Sequence, residues 1–112
     1  MKVKQYEIWI ADLNPGFGTE TGKIRPVAII QTDLLNAFHP STIVCPITTN
    51  VKLDAKILRI HLTKGSAKLK DCDIMIDQVC AIDNKRLLKK IGELSQEQVG
   101  LIKTNLSIVL DI

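Results

Sequence analysis

One arginine of this chain lies in a context that suits it to bind a negatively charged group. Arg25 is held between Ile24 and Pro26, where a polar, glycine-rich segment ends and an apolar run begins. Because proline restricts the backbone beside it, the guanidinium would project from a fixed point at the start of a strand. A guanidinium presents a planar fork of N–H donors that matches two oxygens of a phosphate. Arg25 is therefore a candidate for stabilising charge on a phosphate, and a surface ion pair with Glu20 is the alternative interpretation.

Thr48 is the second candidate, at the end of the apolar run from Thr42 to Ile47. Its β-branched side chain adopts few rotamers, so its hydroxyl can be held in one direction. Such a hydroxyl can donate a hydrogen bond in a defined direction. The alternative is a strand-end hydroxyl that satisfies a backbone group.

Short strands are predicted to position these two residues. Residues 6–13 alternate apolar and polar side chains until Asn14-Pro15-Gly16, which is a strong strand breaker. The glycines at this point and beyond predict a mobile loop over residues 14–23, of a length that is typical of functional loops. Further strands are predicted at Pro26–Gln31, Thr42–Ile47, Ile57–Thr63 and Ile74–Ile82, with a turn-rich connection over residues 64–73.

A C-terminal helix is predicted from residue 95 onward. Ser95 followed by Gln98 is the pattern of a capping box. The apolar residues behind it recur at helical spacing, at positions 99, 102, 106 and 109. Three more, Leu101, Ile108 and Ile112, widen the apolar surface beyond one stripe, which favours packing deeper in the core or against a second copy of the chain.

Length and composition exclude several classes of protein. The 112 residues suit a single domain spanning 1–112, and 46% of them are hydrophobic, which argues against disorder. No apolar run approaches the roughly 20 residues that cross a membrane. The first residues also lack the apolar stretch of a secretion signal, so we expect a cytoplasmic protein without membrane contact.

Cysteine and charge counts limit the cofactors and partners. The three cysteines, Cys45, Cys72 and Cys80, lie mostly in apolar surroundings and are expected to be free, buried thiols. Together with two unclustered histidines they are too scattered for a zinc site, so neither a metal nor another cofactor is expected. The net charge of +3 permits nucleic-acid binding without requiring it.

Several short strands followed by one helix indicate a mainly β (α+β) domain, either a compact barrel or a strongly bent sheet with the helix packed on it. The segment from Asp12 to Val27 reads D-L-x-P-x-x-G-x-E-x-x-K-x-R-P-V, and it resembles the MazF/PemK/Kid family of toxin endoribonucleases. Weaker similarities follow in the family's order at residues 46–49, at residues 77–83 and at the start of the helix. The chain is more similar to the MazF branch than to Kid.

The resemblance implies an architecture, an activity and a partner. The architecture is a small SH3-like β-barrel of the CcdB/Kid/MazF type with a C-terminal helix, assembled as a homodimer. The activity is sequence-specific, metal-independent cleavage of single-stranded RNA. In it the 2′-hydroxyl attacks the adjacent phosphorus and leaves a 2′,3′-cyclic phosphate and a 5′-hydroxyl. The partner is an acidic, MazE-like antitoxin whose disordered tail occupies the RNA groove.

The same resemblance assigns candidate residues. Arg25 and Thr48 match the arginine and threonine that serve as the family's catalytic pair. Phe17 would either stack on a base or plug the loop onto the barrel. Three roles are open for Asp77. Its carboxylate would orient the Arg25 side chain, accept a hydrogen bond from the edge of a base, or lie buried with hydrogen bonds from backbone amides. The full set of expected RNA-binding residues is Phe17, Thr19, Glu20, Lys23, Thr49, Asn50, Asp77 and Gln78.

The chain departs from the Kid branch at two positions. That branch uses a loop histidine and an arginine before the strand aspartate, where this chain has Thr19 and Met75. Its acid–base scheme therefore does not transfer. The identity of the general base stays open, because Arg25 would normally stay protonated. His39 in a polar loop and His61, predicted to face outward from its strand, are not expected to be catalytic.

Two other functions are compatible with a small barrel. A gyrase poison of the CcdB type acts through a terminal Trp-Gly-Ile, whereas this chain ends with Val109-Leu110-Asp111-Ile112. A non-catalytic RNA-binding barrel would use Arg25 to bind phosphate without accelerating cleavage.

Overall fold

The computed structural model describes residues 2–63 and 69–112. Within them the chain forms strands β1 (Glu7–Asp12), β2 (Ile24–Ile29), β3 (Ser41–Thr48), β4 (Arg59–Leu62), β5 (Cys72–Met75), β6 (Cys80–Asp83) and β7 (Leu87–Glu93). A short helix α1 (Asp33–Asn36) follows β2, and helix α2 (Gln96–Leu110) follows β7. Turns of 3₁₀ type at Ile76–Gln78 and Asn84–Arg86 precede β6 and β7. The predicted mainly β fold with a C-terminal helix is confirmed.

The strands pair antiparallel in one seven-stranded sheet, in the order β4-β5-β3-β2-β1-β7, with β6 beside the first half of β3. Strand β3 changes its partner along one edge, because Val44 pairs with Cys80 of β6 whereas Ile47 pairs with Ile74 of β5. Pro46 lies between these pairs and has no N–H to donate, which suits the gap. Among the described residues no pairing joins the edge strands β4 and β7, so the SH3-like barrel is open.

Each face of the sheet contributes to a hydrophobic cluster. The first cluster includes Ile8, Ala28, Cys45, Ile47 and Ile74, and it contacts α2 through Ile102. The second includes Trp9, Ala11, Val27, Ile29 and Val44. Because successive residues of a strand point to opposite faces, strands β1, β2 and β3 supply both clusters. This explains the unbroken apolar runs in β2 and β3, which are buried on both faces.

Helix α2 begins as predicted, with a capping box formed by Ser95 and Gln98. Ile102 is fully buried in the first cluster. The remaining apolar side chains of the wider surface, Leu101, Ile108, Leu110 and Ile112, are exposed. They do not pack deeper in the core, so only the alternative of a second copy stays a prediction. Neither α-helix of the described residues has the length and apolar character needed to cross a membrane.

Several local predictions are wrong. Residues 74–82 are not one strand, because the 3₁₀ turn at Ile76–Gln78 separates β5 from β6. Residues 72 and 73 belong to β5 rather than to a connection, while residues 64–68 of that connection lie outside the described residues. Cys80 is an exposed thiol, not a buried one, although all three cysteines are free as predicted.

Candidate active site

Arg25 lies in β2 with its guanidinium fixed at one nitrogen. Its Nε–H donates to the carbonyl oxygen of Gly22 at 2.8 Å, which holds the side chain against the end of the preceding loop. Partial burial lowers the pKa of Arg25 from its ordinary value because desolvation disfavours the charged form, yet an arginine remains a cation at neutral pH. No ion pair joins Arg25 to any residue that the structure describes, so the alternative of a pair with Glu20 is not realised.

The strand register aligns Arg25 with Thr48. The ladder between β2 and β3 ends at the pair of Val27 and Pro46, and the same register continued by two residues sets Arg25 opposite Thr48. Directly opposed residues of antiparallel strands project from the same face of a sheet. Thr48 Oγ1 accepts a hydrogen bond from the Asn50 N–H at 3.1 Å, so its own O–H is still able to donate. With the register continued in this way, a planar cation and a hydroxyl donor would occupy matching positions on neighbouring strands, two residues beyond the last observed pair.

The loop of residues 14–23 is closed at its base beside Arg25. The Lys23 N–H donates to Asn14 Oδ1 at 2.8 Å. Arg86 Nη1 donates to the carbonyl oxygens of Asp12 and Asn14 at 2.9 and 2.6 Å. These bonds define the path of the loop, and its mobility stays a prediction.

The loop faces the segment 77–83 across a cavity of about 430 Å³, which we call the loop cavity. Three of the expected RNA-binding residues line it: Glu20 from the loop, and Asp77 and Gln78 from the 3₁₀ turn. Asp77 is exposed, so the alternative of a carboxylate buried on backbone amides is wrong. Most of the polar side chains of this cavity are therefore carboxylates and an amide, set among apolar residues, with Arg86 as the cation on its wall.

Thr48 and Thr49 line a second cavity of about 290 Å³, together with Pro26 and Lys70. Pro46 lines the loop cavity and Thr48 this one, so the two recesses adjoin along β3. The other expected RNA-binding residues, Phe17, Thr19, Lys23 and Asn50, are exposed outside both. Phe17 is 83% exposed, so it does not plug the loop onto the sheet.

Comparison with known proteins identifies the family. The profile of PemK-like, MazF-like toxins of type II toxin–antitoxin systems matches residues 4–110. The chain belongs to this toxin family. The toxin is 33% identical over 111 residues to a protein named Endoribonuclease MazF from Staphylococcus epidermidis, with 98% of this chain and 92% of the relative covered.

Solved structures share the fold of the toxin. MazF of Deinococcus radiodurans superposes with a TM-score of 0.87 at 16% identity, covering 100% of this chain and 99% of that one. An endoribonuclease from a mycobacterial species, solved in complex with its cognate antitoxin, gives a TM-score of 0.81 at 15% identity and covers 98% and 96% of the two chains. At these identities the likeness establishes the architecture, which agrees with the predicted fold class.

The two histidines of the toxin lie away from both cavities. His39 Nδ1 is 3.0 Å from the carbonyl oxygen of Ser41 in a local contact. His61 alternates with the buried Ile60 and Leu62 as predicted and stays partly exposed, and its Nδ1 lies 3.1 Å from Oδ1 of the buried Asp73. The imidazole is therefore part of an ionic cluster at the edge of the sheet.

Arg86 holds the loop base and lines the loop cavity, although it was not among the site residues predicted from the sequence. Its two carbonyl partners are 72 and 74 residues away along the chain, and no periodicity links positions so far apart. The only available signal is its type, since it is one of three arginines among 15 basic residues. Arginine suits this role because one guanidinium can donate to several carbonyl oxygens.

We expect the substitution Gly22→Ala to loosen the loop of residues 14–23. A Cβ on Gly22 would lie 2.9 Å from the backbone nitrogen of Gly16, a distance at which backbone has to move. Overpacking of this kind costs about 1–3 kcal/mol. The amide of Lys23, which donates to Asn14 at the loop base, should then exchange its hydrogen about tenfold faster or more, the equivalent of about 1.4 kcal/mol.

Native-state hydrogen exchange followed by NMR checks this expectation. Thr21→Ala is the matched control, because it changes a neighbouring loop residue without adding an atom to a crowded position. Equal exchange of the Lys23 amide in the two variants would contradict the tight closure of the loop.

Proposed function

We propose that this toxin is an endoribonuclease that cleaves single-stranded RNA at specific sequences without a metal ion. The observation that carries the proposal is the alignment of Arg25 with Thr48 across β2 and β3. Membership of the toxin family and the name of the Staphylococcus epidermidis relative support the same reaction. Among the described residues, no group of three or more His, Cys, Asp or Glu side chains could hold a metal ion.

Arg25 and Thr48 would act on the phosphate at the cleavage site. When the 2′-oxygen attacks phosphorus, negative charge grows on the nonbridging oxygens, and preorganised donors at that point lower the barrier. The Arg25 guanidinium, fixed through Nε, would neutralise this charge, and the Thr48 O–H would donate to one nonbridging oxygen. The bond to the 5′-oxygen then breaks, which leaves a 2′,3′-cyclic phosphate and a 5′-hydroxyl end.

The loop cavity would receive bases rather than phosphates. Its expected RNA-binding residues, Glu20, Asp77 and Gln78, present carboxylate and amide groups, and carboxylates repel phosphate while accepting hydrogen bonds from amino groups of bases. Phe17, exposed at the loop, would stack on a splayed base, and Lys23 would contact the backbone phosphate. Thr19, Thr49 and Asn50 complete the proposed RNA-binding set at the rim.

We further propose that the toxin forms a homodimer and is neutralised by an antitoxin in the cytoplasm. The exposed apolar side chains of α2 offer a surface for a second copy. The solved relative in complex with its cognate antitoxin supports an antitoxin partner. An acidic, partly disordered tail of MazE type would suit a groove that carries Arg25 and Lys23.

Incubation of the purified toxin with an unstructured RNA in EDTA tests the proposed reaction. We expect cuts at a limited set of sequences, each leaving a 2′,3′-cyclic phosphate and a 5′-hydroxyl. A matched RNA with 2′-deoxyribose at a mapped cut site should stay intact there, because it lacks the attacking hydroxyl. Mass spectrometry of the fragments identifies both ends.

Three results would contradict the proposed function or its mechanism. RNA that is bound but never cut would favour a non-catalytic RNA-binding barrel. Cleavage that stops in EDTA and resumes with a divalent ion would contradict the metal-independent mechanism. Cleavage of the 2′-deoxy substrate at the mapped site would contradict attack by the 2′-hydroxyl.

A further inference from the structure

One cross-strand row contains both proposed catalytic residues and a buried acid. Asp73 of β5 pairs with Thr48 of β3 on one side and with His61 of β4 on the other. With the register of β2 and β3 continued, the row reads His61, Asp73, Thr48 and Arg25. Residues in such a row share one face of the sheet, so Asp73 is the direct neighbour of Thr48 on that face.

A chain of hydrogen bonds connects the Asp73 carboxylate to the Thr48 hydroxyl. Arg59 Nη1 donates to Asp73 Oδ2 at 3.3 Å and to the carbonyl oxygen of Asn50 at 3.0 Å. The N–H of the same Asn50 donates to Thr48 Oγ1 at 3.1 Å. The position of Asn50, and with it the hydrogen bond to Oγ1, therefore depends on Arg59 and on the carboxylate that holds Arg59.

Asp73 also fixes the segment that follows Thr48. Its Oδ2 accepts from the Lys52 N–H at 2.8 Å. Thr49, Asn50 and Lys52 are exposed, so packing in the core does not hold this segment in place. The hydrogen bonds from the Lys52 N–H to Asp73 and from Arg59 to the Asn50 carbonyl oxygen hold it in place instead.

The burial of Asp73 is costly enough to require a reason. Its side chain is 1% exposed, and a carboxylate in that position is tolerated only when ionic and hydrogen-bonding partners surround it. Arg59, His61 and the Lys52 N–H supply such partners. A hydrophobic residue would fill the same space at lower cost, as buried ion pairs generally add little net stability. The reason we identify is the orientation of the neighbouring hydroxyl.

We propose that Asp73 is a positioning residue for RNA cleavage, which orients the Thr48 hydroxyl through Arg59 and Asn50. With one lone pair of Oγ1 engaged by the Asn50 N–H, the Thr48 O–H is free to donate to the phosphate of a bound RNA. Asp73 itself touches neither substrate nor reacting atoms. This inference rests on the proposed function, because it assigns a task to Asp73 only if Thr48 takes part in cleavage.

The test measures kcat and KM for a short RNA with a mapped cut site, in EDTA, with Asp73→Asn. This change keeps the shape of the side chain but removes the charge that holds Arg59. We expect kcat to fall about tenfold or more, because misplacement of a reacting group by about 1 Å costs up to about 10²-fold. KM should change much less than kcat, since only Thr49 and Asn50 of the proposed RNA-binding residues lie in the segment that Asp73 anchors.

Glu7→Gln is the matched control. Glu7 is also a buried carboxylate, which accepts from the Lys4 N–H at 2.8 Å and pairs with Lys90 at 2.9 Å, but it lies in β1 outside the row. It should lose comparable stability in thermal unfolding without losing kcat. If Asp73→Asn does not fold, Arg59→Ala serves instead. Arg59 is the next residue in the hydrogen-bond chain from Asp73 to Thr48, and its side chain is less buried than that of Asp73. Arg59→Lys should restore part of its kcat by pairing again with Asp73.

Each outcome bears on one proposal. An intact RNA with the wild-type toxin would overturn the proposed function. A wild-type toxin that cuts, beside Asp73→Asn and Arg59→Ala variants with unchanged kcat, would overturn the positioning role alone. The positioning role would also be overturned if Glu7→Gln lost as much kcat as Asp73→Asn. It would be overturned as well if Asp73→Asn raised KM and left kcat unchanged.

Discussion

Replacing Arg25 with alanine should lower kcat for RNA cleavage by about 10²- to 10³-fold, the usual cost of removing one preorganised donor at a developing anion. The substitution removes the cation that would neutralise charge on the phosphate. It leaves the strand intact, because Arg25 is half-buried at the entry of β2 and its ladder partner in β1, Ala11, needs no contact from it. Single-turnover kinetics with saturating toxin measure the effect on the chemical step.

Two further variants show which property of Arg25 matters. Arg25→Lys keeps the charge but loses the fork and the Nε bond to Gly22, so its kcat should lie between those of wild type and Arg25→Ala. Lys89→Ala removes one exposed positive charge from β7 at a position that lines neither the loop cavity nor the second cavity, and it should keep the wild-type kcat. An unchanged kcat in Arg25→Ala would remove the central element of the proposed mechanism.

The difference between kcat and KM then separates catalysis from binding. If Arg25 contacted phosphate equally in the ground state and the transition state, alanine would raise KM and leave kcat unchanged. A fall in kcat with little change in KM means that the contact strengthens as charge develops. The second result would distinguish an enzyme from an RNA-binding barrel that holds the same phosphate.

The elements that the sequence predicted correctly are those with a strong local signal. Alternation and turn residues located β1, and a capping box located α2 at Ser95. The combination of Arg25 with Thr48 was accessible only through resemblance to a family, since their alignment follows from continuing the register of β2 and β3 by two residues. Local pattern contains no information about that register.

Two errors in the predicted strands, at residues 74–82 and at β7, also have physical causes. Residues 74–82 read as one strand because Ile76, in the 3₁₀ turn, is apolar and as fully buried as Ile74 of β5. Strand β7 was not predicted because it is an edge strand with exposed polar residues, paired to β1 with two register shifts. Apolar runs and apolar–polar alternation are the signals that predict a strand from sequence. Residues 74–82 have an apolar run without being one strand, and β7 is a strand without a clear alternation.

The cluster around Asp73 lay beyond any sequence pattern. Its partners come from the segment after β3 and from β4, so four positions between 52 and 73 meet only in the folded sheet. In the sequence Asp73 belongs to a polar stretch and was assigned to a connection. Its burial is therefore a property of the tertiary structure and not of the local sequence.

Truncation of Ile102 should produce the largest loss of stability among these variants. Ile102 is the one residue of α2 that is fully buried, and it joins the helix to the first cluster of the sheet. Ile102→Ala should lower the free energy of unfolding by about 2–5 kcal/mol, through lost burial and the cavity left behind. For a domain of this size, the melting temperature should fall by about 8–20 °C. Chemical and thermal denaturation at equal protein concentration measure both quantities.

Gly100→Ala provides the opposite change two residues away. A Cβ at Gly100 meets nothing within 4 Å, so the alanine adds helix propensity without a clash and should stabilise α2 by about 0.5–1 kcal/mol. Both variants place a new alanine in the same helix, but the free energy of unfolding should fall in Ile102→Ala and rise in Gly100→Ala. This difference in sign separates the effect of burial from that of helix propensity. If Ile102→Ala cost no more than a few tenths of a kcal/mol, α2 would not be anchored through this side chain. Leu106 and Val109, which also pack against the first cluster, would then hold the helix in place.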